Sequence, residues 1–567
     1  MRRSSARFVF ALTAAVLGVV LLWPLARVIA GGFYDDGFTL RYLRAVFQNP
    51  VYAEGLANSA LLAVGTTALA ALVAVPLAWL SHRYQFAGKG LLTGLLLAPM
   101  VLPPFVGAIG FQQILGQYGA LNALLHLGPV DWLGRGRYFG VILLQALALY
   151  PVLYLNASAA LANIDPAMEE AAENLGCSGL RKFLRITLPL TMPGIFAGAV
   201  IIFIWSFTEL GTPLIMNYTR CTAVQVYDAL KEIGSSPFPY ALVFVMLMVS
   251  LLLYALAKLA FGRHAFAMQG KATVNFAPAP VRGLRAVLVA TPFLLVILFA
   301  LLPHIGVILT SFAAPGSWYR SVAPEVFTSA NYIAALGHDI TVGSIRNSLV
   351  YSTLAVGVNI LLGLAIAFVI VRSDLRLRGI LDGLAMVPLA VPGLVMAFGY
   401  LSVSSYLSNL DGVRDSVFWT AVFDVRTNPT TFLVIAYAVR RLPYMVRSAV
   451  AGLQQTSVTL EESAANLGAP PWVVVRRITL PLITANLIAG ALLAFSFSML
   501  EVSDGLMLAQ RADHYPITKT IYELFQVLGS GPYIASALGV WAMVFLAVTI
   551  LGATALLGRK LGAVFRV

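Results

Sequence analysis

Residues 169–190 read EEAAENLGCSGLRKFLRITLPL, and residues 461–482 read EESAANLGAPPWVVVRRITLPL. The two stretches align without a gap at an offset of 292 residues. Glu-Glu, Asn-Leu-Gly and Ile-Thr-Leu-Pro-Leu recur in register, while the residues between them differ freely. A repeat of this kind marks a duplicated unit, and its extent decides the architecture.

The register carries far beyond the loop. Pro151 matches Pro443, Ala197-Gly198 matches Ala489-Gly490, Ser206 matches Ser498 and Glu209 matches Glu501 at the same offset. Upstream, Asn58-Ser59 matches Asn347-Ser348, and Pro99, Pro103 and Gly110 match Pro388, Pro392 and Gly399, now at an offset of 289. The three-residue difference falls between the third and fourth apolar runs of a half.

Those runs set the class. The chain has 567 residues, 59% hydrophobic and only 11% charged, against about 25% charged in a soluble domain. Apolar runs of about 20 residues are long enough to cross a bilayer as helices. The alternation that a membrane barrel needs is missing. The sequence predicts an all-α polytopic membrane protein with about twelve transmembrane helices in two homologous six-helix halves. The first six lie near 8–30, 56–80, 91–115, 138–160, 195–217 and 239–261, and the second six near 286–310, 346–371, 380–405, 430–452, 484–508 and 536–558. Residues 1–261 form the first half, 286–567 the second, and the polar, basic stretch 262–285 reads as a cytoplasmic linker. Six is even, so both copies have one orientation and a pseudo-twofold axis along the membrane normal.

The net charge of +13 has a membrane explanation. Arg181, Lys182, Arg185, Arg372, Arg376, Arg378, Arg476 and Arg477 fall in loops assigned inside, whereas outer loops mix bases with acids. Both termini are therefore expected in the cytoplasm. The first run follows Arg2, Arg3 and Arg7 and lacks a small-x-small cleavage site, so it reads as a retained helix. No nucleic-acid motif accompanies the basic balance. Cys177 and Cys221 fall on opposite sides and are not expected to pair, and the six scattered histidines have no metal-site spacing.

Within the loop, residues 166–175 have good helix formers, a proline in the first turn and acids near the N-terminus. Gly176 and Gly468 suit the left-handed turn that ends such a helix. A rigid acidic helix kept in register in two copies reads as a docking knob for a cytoplasmic partner.

The pattern E-A-A, three residues, G, nine residues, I-x-L-P resembles the signature of permease subunits of bacterial binding-protein-dependent ABC importers. Copy one matches at Glu170, Ala171, Ala172, Gly176, Ile186, Leu188 and Pro189. Copy two matches at Glu462, Ala464, Gly468, Ile478, Leu480 and Pro481, and departs at Ser463. The resemblance implies that Glu169, Glu170, Ala171, Ala172 and Gly176, with Glu461, Glu462, Ala464 and Gly468, form coupling helices. These would seat in grooves on two copies of a cytoplasmic ABC ATPase, and a periplasmic or extracellular binding protein would deliver substrate. The chain has no phosphate loop, so ATP and Mg are expected on the partner and no cofactor or catalytic residue here. The implied location is the bacterial inner membrane, in contact with lipid.

Glu209 and Glu501 lie about 14 residues into their spans, roughly 21 Å along at the helical rise. They either face each other across the substrate path, with Asp504 nearby, or the spans end early and the acids sit in the headgroups. Asn58 and Asn347 read as caps or interhelical bonds rather than ligands. The proline pairs read as bends near the path. Fusion of both halves resembles the ferric-iron, thiamine and 2-aminoethylphosphonate importer permeases, and WSFTELGTPL with YPITKTIYELF leans to the ferric-iron group. A major-facilitator carrier also has twelve helices, but SHRYQFAGKG does not resemble its basic loop.

Overall fold

The computed structural model describes residues 3–35, 37–101, 103–232, 236–267 and 278–557. Among these, nine helices are long and apolar enough to cross a membrane. Two further spans are broken: Lys89–Met100 with Pro104–Leu124 is bent by 99°, and Arg378–Ala390 with Gly393–Ser408 by 103°. The breaks fall at the proline pairs. Pro103 and Pro392 both take extended backbone, with ψ of 133° and 139°. A proline offers no amide to the helix and restricts the residue before it, so each span stops and restarts there.

The expected span 430–452 is the 26-residue helix Thr430–Gln455. It is long enough to cross, but Arg440, Arg441 and Arg447 make it too charged to count with the nine. The sequence's twelve thus become nine helices, two bent pairs and one arginine-bearing helix. The expected spans 195–217 and 484–508 are also redrawn. Each helix starts within the repeat loop and ends earlier, as Gly179–Phe207 and Pro471–Met499. Of the expected linker, residues 262–267 continue the helix Phe238–Ala267, residues 268–277 lie outside the described residues, and the next helix begins at Leu284. Ala279–Pro280 pairs in parallel with Tyr84–Gln85.

The halves are interlocked. The first helix, Ser5–Phe33, packs on Phe238–Ala267 of its own half and on Gly393–Ser408 of the other. Leu284–Phe312 repeats the arrangement with Gly531–Leu557 and Pro104–Leu115. Glycine permits both crossings, because apolar helices in lipid gain most from close backbone approach. A Cβ on Gly110 would strike the backbone of Gly306 and Val307, and one on Gly399 would meet the Pro24 carbonyl at 2.9 Å. Tyr400 Oη donates to the Val20 carbonyl at 2.9 Å across the second crossing.

Gly110→Ala should therefore lower the melting temperature of the purified protein, since overpacking costs about 1–3 kcal/mol. Gly357→Ala, where a Cβ meets nothing within 4 Å, should raise it slightly, by about 0.5–1 kcal/mol of helix propensity. Equal shifts of the same sign would contradict the close crossing.

Candidate functional site

Each repeat loop is a nine-residue helix, Pro166–Asn174 or Val458–Asn466. Asp165 caps the first by accepting from the Ala167 amide at 3.0 Å, and Ser457 the second from Thr459 at 3.3 Å. Gly176 and Gly468 turn the chain with φ of 79° and 84°. The following helix enters its span through a π turn, Phe183–Thr187 or Val475–Thr479. That turn carries the threonine that holds the loop. Thr187 Oγ1 donates to Glu169 Oε1 at 2.6 Å, and Thr479 Oγ1 to Glu461 Oε1 at 3.2 Å.

The first glutamate of each pair is thus an internal anchor. Glu169 is 7% exposed and also accepts from Lys182 Nζ at 3.1 Å. Lys182 reaches Glu173 at 2.7 Å, and Arg83 approaches Glu173 at 3.7 Å. In the second loop Val474 replaces Lys182, and the cation comes from Arg372, the counterpart of Arg83. Its Nε reaches both Glu461 oxygens, at 3.3 and 3.2 Å. Burial opposes ionisation of Glu169, but Thr187, Lys182 and the nearby charges outweigh it and hold its carboxyl below the ordinary range. The hydrogen bond and charge of Lys182 depress Glu173 likewise.

What faces outward is the second glutamate and a leucine. Glu170 and Glu462 are exposed, as are Ala171, Gly176 and Gly468; Ala172 is buried and Ala464 half-buried. Leu175 is 88% exposed and Leu467 89%. An apolar side chain left bare at the same place in both loops marks a contact surface.

At the other end of the same helices lies a cavity of about 220 Å³ between the halves, lined by Pro99, Pro103, Pro388 and Pro392 and by Glu209 and Glu501. The spans end early, and both glutamates line this cavity. The helices end at Phe207 and Met499, and the breaks turn the carboxylates to the cavity. Their surroundings differ. Glu209 is half-buried and accepts from the Thr212 amide at 3.2 Å and hydroxyl at 3.3 Å. Glu501 is 5% exposed; it takes Arg440 Nη1 at 2.6 Å and is also bonded by Arg441. Asp504 does not line the cavity: it is buried behind it, 3.6 Å from Arg440. The sequence reading missed the two arginines. Adjacent bases inside an otherwise apolar run were the available signal, since each costs about 2.5–3.5 kcal/mol at the centre of a membrane helix.

Beyond the cavity, away from the loops, two matched helices meet. Thr222–Asp228 hangs from Ser59, whose Oγ accepts the Thr222 amide at 2.9 Å, and Asn58 donates to the Arg220 carbonyl at 2.9 Å. Ile517–Phe525 hangs from Ser348 at 2.7 Å, with Asn347 donating to the Asp513 carbonyl at 2.9 Å. The asparagines are interhelical ties. Lys519 Nζ then crosses between halves to Tyr227 Oη at 3.2 Å while pairing with Glu523 at 3.0 Å. No group of three or more metal-ligating side chains is present among the described residues.

The family model described as binding-protein-dependent transport system inner membrane component matches twice, at residues 70–268 and 359–557. The chain belongs to this family. Its two matches are offset by 289 residues, 359 against 70, the spacing of the internal repeat. This permease is 26% identical over 512 residues to the ferric transport system permease protein FbpB of Actinobacillus pleuropneumoniae, covering 86% of this chain and 70% of that one. It is 27% identical over 503 residues to the Fe(3+)-transport system permease protein FbpB 2 of Haemophilus influenzae, covering 88% and 89%. The molybdenum transport system permease protein ModB of Escherichia coli is 33% identical over 189 residues, covering 31% of this chain and 81% of its own. This permease is an all-α, multi-pass ABC importer subunit of two fused halves, and transport rather than enzymatic turnover is its family's work.

Lys182→Met would leave Glu169 buried without its cation, so its carboxyl should titrate higher than in the wild type. The anchoring is present above the carboxylate's unfolded pKa and is lost as pH falls through the folded value. The variant loop should therefore loosen at a higher pH than the wild-type loop, read by amide hydrogen exchange over residues 166–175 across an acid series. An unchanged exchange profile would contradict the anchor.

Proposed function

We propose that this permease passes ferric iron through the inter-half cavity, driven by two copies of an ABC ATPase seated on the two repeat loops. The observation that carries the docking is the matched pair of bare leucines and glutamates, Leu175 with Glu170 and Leu467 with Glu462, on helices braced from behind by the hydrogen-bonded carboxylates of Glu169 and Glu461. A braced helix pushes the span it continues into, whereas a loose loop would absorb the motion. On this reading ATP and Mg sit on the partner and no cofactor resides in this chain. The binding protein meets the opposite end. On the same reading both termini are cytoplasmic, on the loop side of the membrane.

Two facts support a ferric cargo. The relatives that share 86–88% of the chain carry ferric names. Within the cavity, Glu501 is neutralised by arginines, while no cation lies within ion-pair distance of Glu209 among the described residues. The Glu209 carboxylate offers the oxygen that a hard cation prefers.

In proteoliposomes containing the ATPase, the ferric-loaded binding protein should stimulate ATP hydrolysis, and thiamine, 2-aminoethylphosphonate or molybdate should not. Stimulation by one of those and none by iron would overturn the cargo. Glu170→Arg with Glu462→Arg should release the ATPase from the purified complex and abolish uptake, and full uptake by that variant would overturn the docking. A cysteine-free background carrying Tyr227→Cys and Lys519→Cys should be bridged at rest by a reducible bifunctional thiol reagent that spans the two removed side chains, and should stop transporting until reduced. Transport at the uncross-linked rate while bridged would show that this contact does not open.

A further inference from the structure

The two halves treat their matched glutamates differently. Arg440 and Arg441 occupy the positions that Ala148 and Leu149 hold in the first half. Both guanidiniums bond the carboxylate of Glu501, and Arg440 also faces Asp504. Two cations and two anions make this wall neutral. Room for it is built in: a Cβ on Gly393 would fall on the Arg440 guanidinium, and the matching position in the first half is Pro104. Glycine thus stands where the arginine needs space, and proline where no arginine occurs.

We propose that Arg440 and Arg441 are positioning residues that withhold Glu501 from the cargo, leaving Glu209 as the one carboxylate ligand of a cation site. The proposal rests on the ferric reading above. A cation seated between two free carboxylates would gain both charges and leave slowly, which a transporter cannot use. With Glu501 already satisfied, a cation must compete with two fixed guanidiniums, one on each carboxylate oxygen, and such charge-assisted bonds do not yield readily. The cargo is then held by one charge on one wall. The site is weak and one-sided, although the fold beneath it is duplicated.

The permease–ATPase complex in nanodiscs can be titrated with radioactive ferric nitrilotriacetate and, separately, with molybdate. Wild type should retain iron weakly, and Glu209→Gln should lose about tenfold or more of that affinity. Arg440→Ala with Arg441→Ala should gain about tenfold or more by freeing Glu501, with slower release. Adding Glu501→Gln to that pair should cancel the gain and restores charge balance nearer to that of the wall it replaces. Should the alanine pair fail to fold, Arg440→Lys with Arg441→Lys keeps the charge but loses the planar fork, and a smaller gain is expected. A purely structural ion pair predicts no gain from the lysine pair, which keeps both charges, and from the alanine pair only the gain that losing two positive charges gives. Iron retention that depends on Glu209 but is indifferent to the arginines, or a gain that survives Glu501→Gln, overturns the inference and leaves the cargo standing. Retention of molybdate and none of iron by the wild type overturns both.

Discussion

An anchored carboxylate at the foot of each loop, buried in the first and half-buried in the second, governs the rest of the molecule. Glu169 and Glu461 tie a solvent-facing helix to the threonine of a π turn, Thr187 or Thr479. From that turn one helix runs unbroken to Phe207 or Met499, about 30 Å at the helical rise. The next residues are the cavity glutamates. The loop and the cavity are therefore two ends of one rod. Without the anchor, Leu175 and Leu467 would sit on a hinge, and force at the loop would not reach Glu209 or Glu501.

The anchor also explains why the duplication tolerates divergence. Glu169 takes its cation from Lys182 in the same loop, and Glu461 from Arg372 at the end of another helix. The requirement is a satisfied buried charge, since an unpaired one costs several kcal/mol. Which element supplies the partner is free. The same freedom acts at the cavity, where one glutamate is capped by threonine and the other by arginines. Symmetry constrains the frame of spans, breaks and crossings, and the polar side chains on that frame have diverged.

The frame was legible in the sequence because it is written in periodic apolar runs and in proline and glycine at fixed offsets. Pro103 and Pro392 marked the breaks, whereas Gly110 and Gly399 showed only as matched positions, and that helices cross there could not be read. The interlocking of the halves was hidden because apolar faces do not name their partners. Span ends were misplaced at 195–217 and 484–508 because Gly179–Phe207 and Pro471–Met499 draw their first turns from polar loop sequence. Hydropathy sees only their apolar part. At the loop, spacing placed both glutamates on one helix. It did not say that Glu169 turns inward and Glu170 outward, a choice set by Lys182 and Thr187 through tertiary contact.

The arginine-bearing helix Thr430–Gln455 is where local and global requirements conflict. Two adjacent arginines in a membrane helix would cost about 5–7 kcal/mol if unpaired, and no loop geometry compensates for that. The cost is offset by Glu501 and Asp504, which arrive from beyond the break in the neighbouring helix. The break after Met499 and the bases of the neighbouring helix are thus one feature, and Gly393, at a second break, is the third part that makes room for it. The first half has the matching break after Phe207 but, with Ala148, Leu149 and Pro104 at the other positions, neither the bases nor the glycine. It keeps the bare carboxylate of Glu209, which a helix end and one threonine suffice to hold.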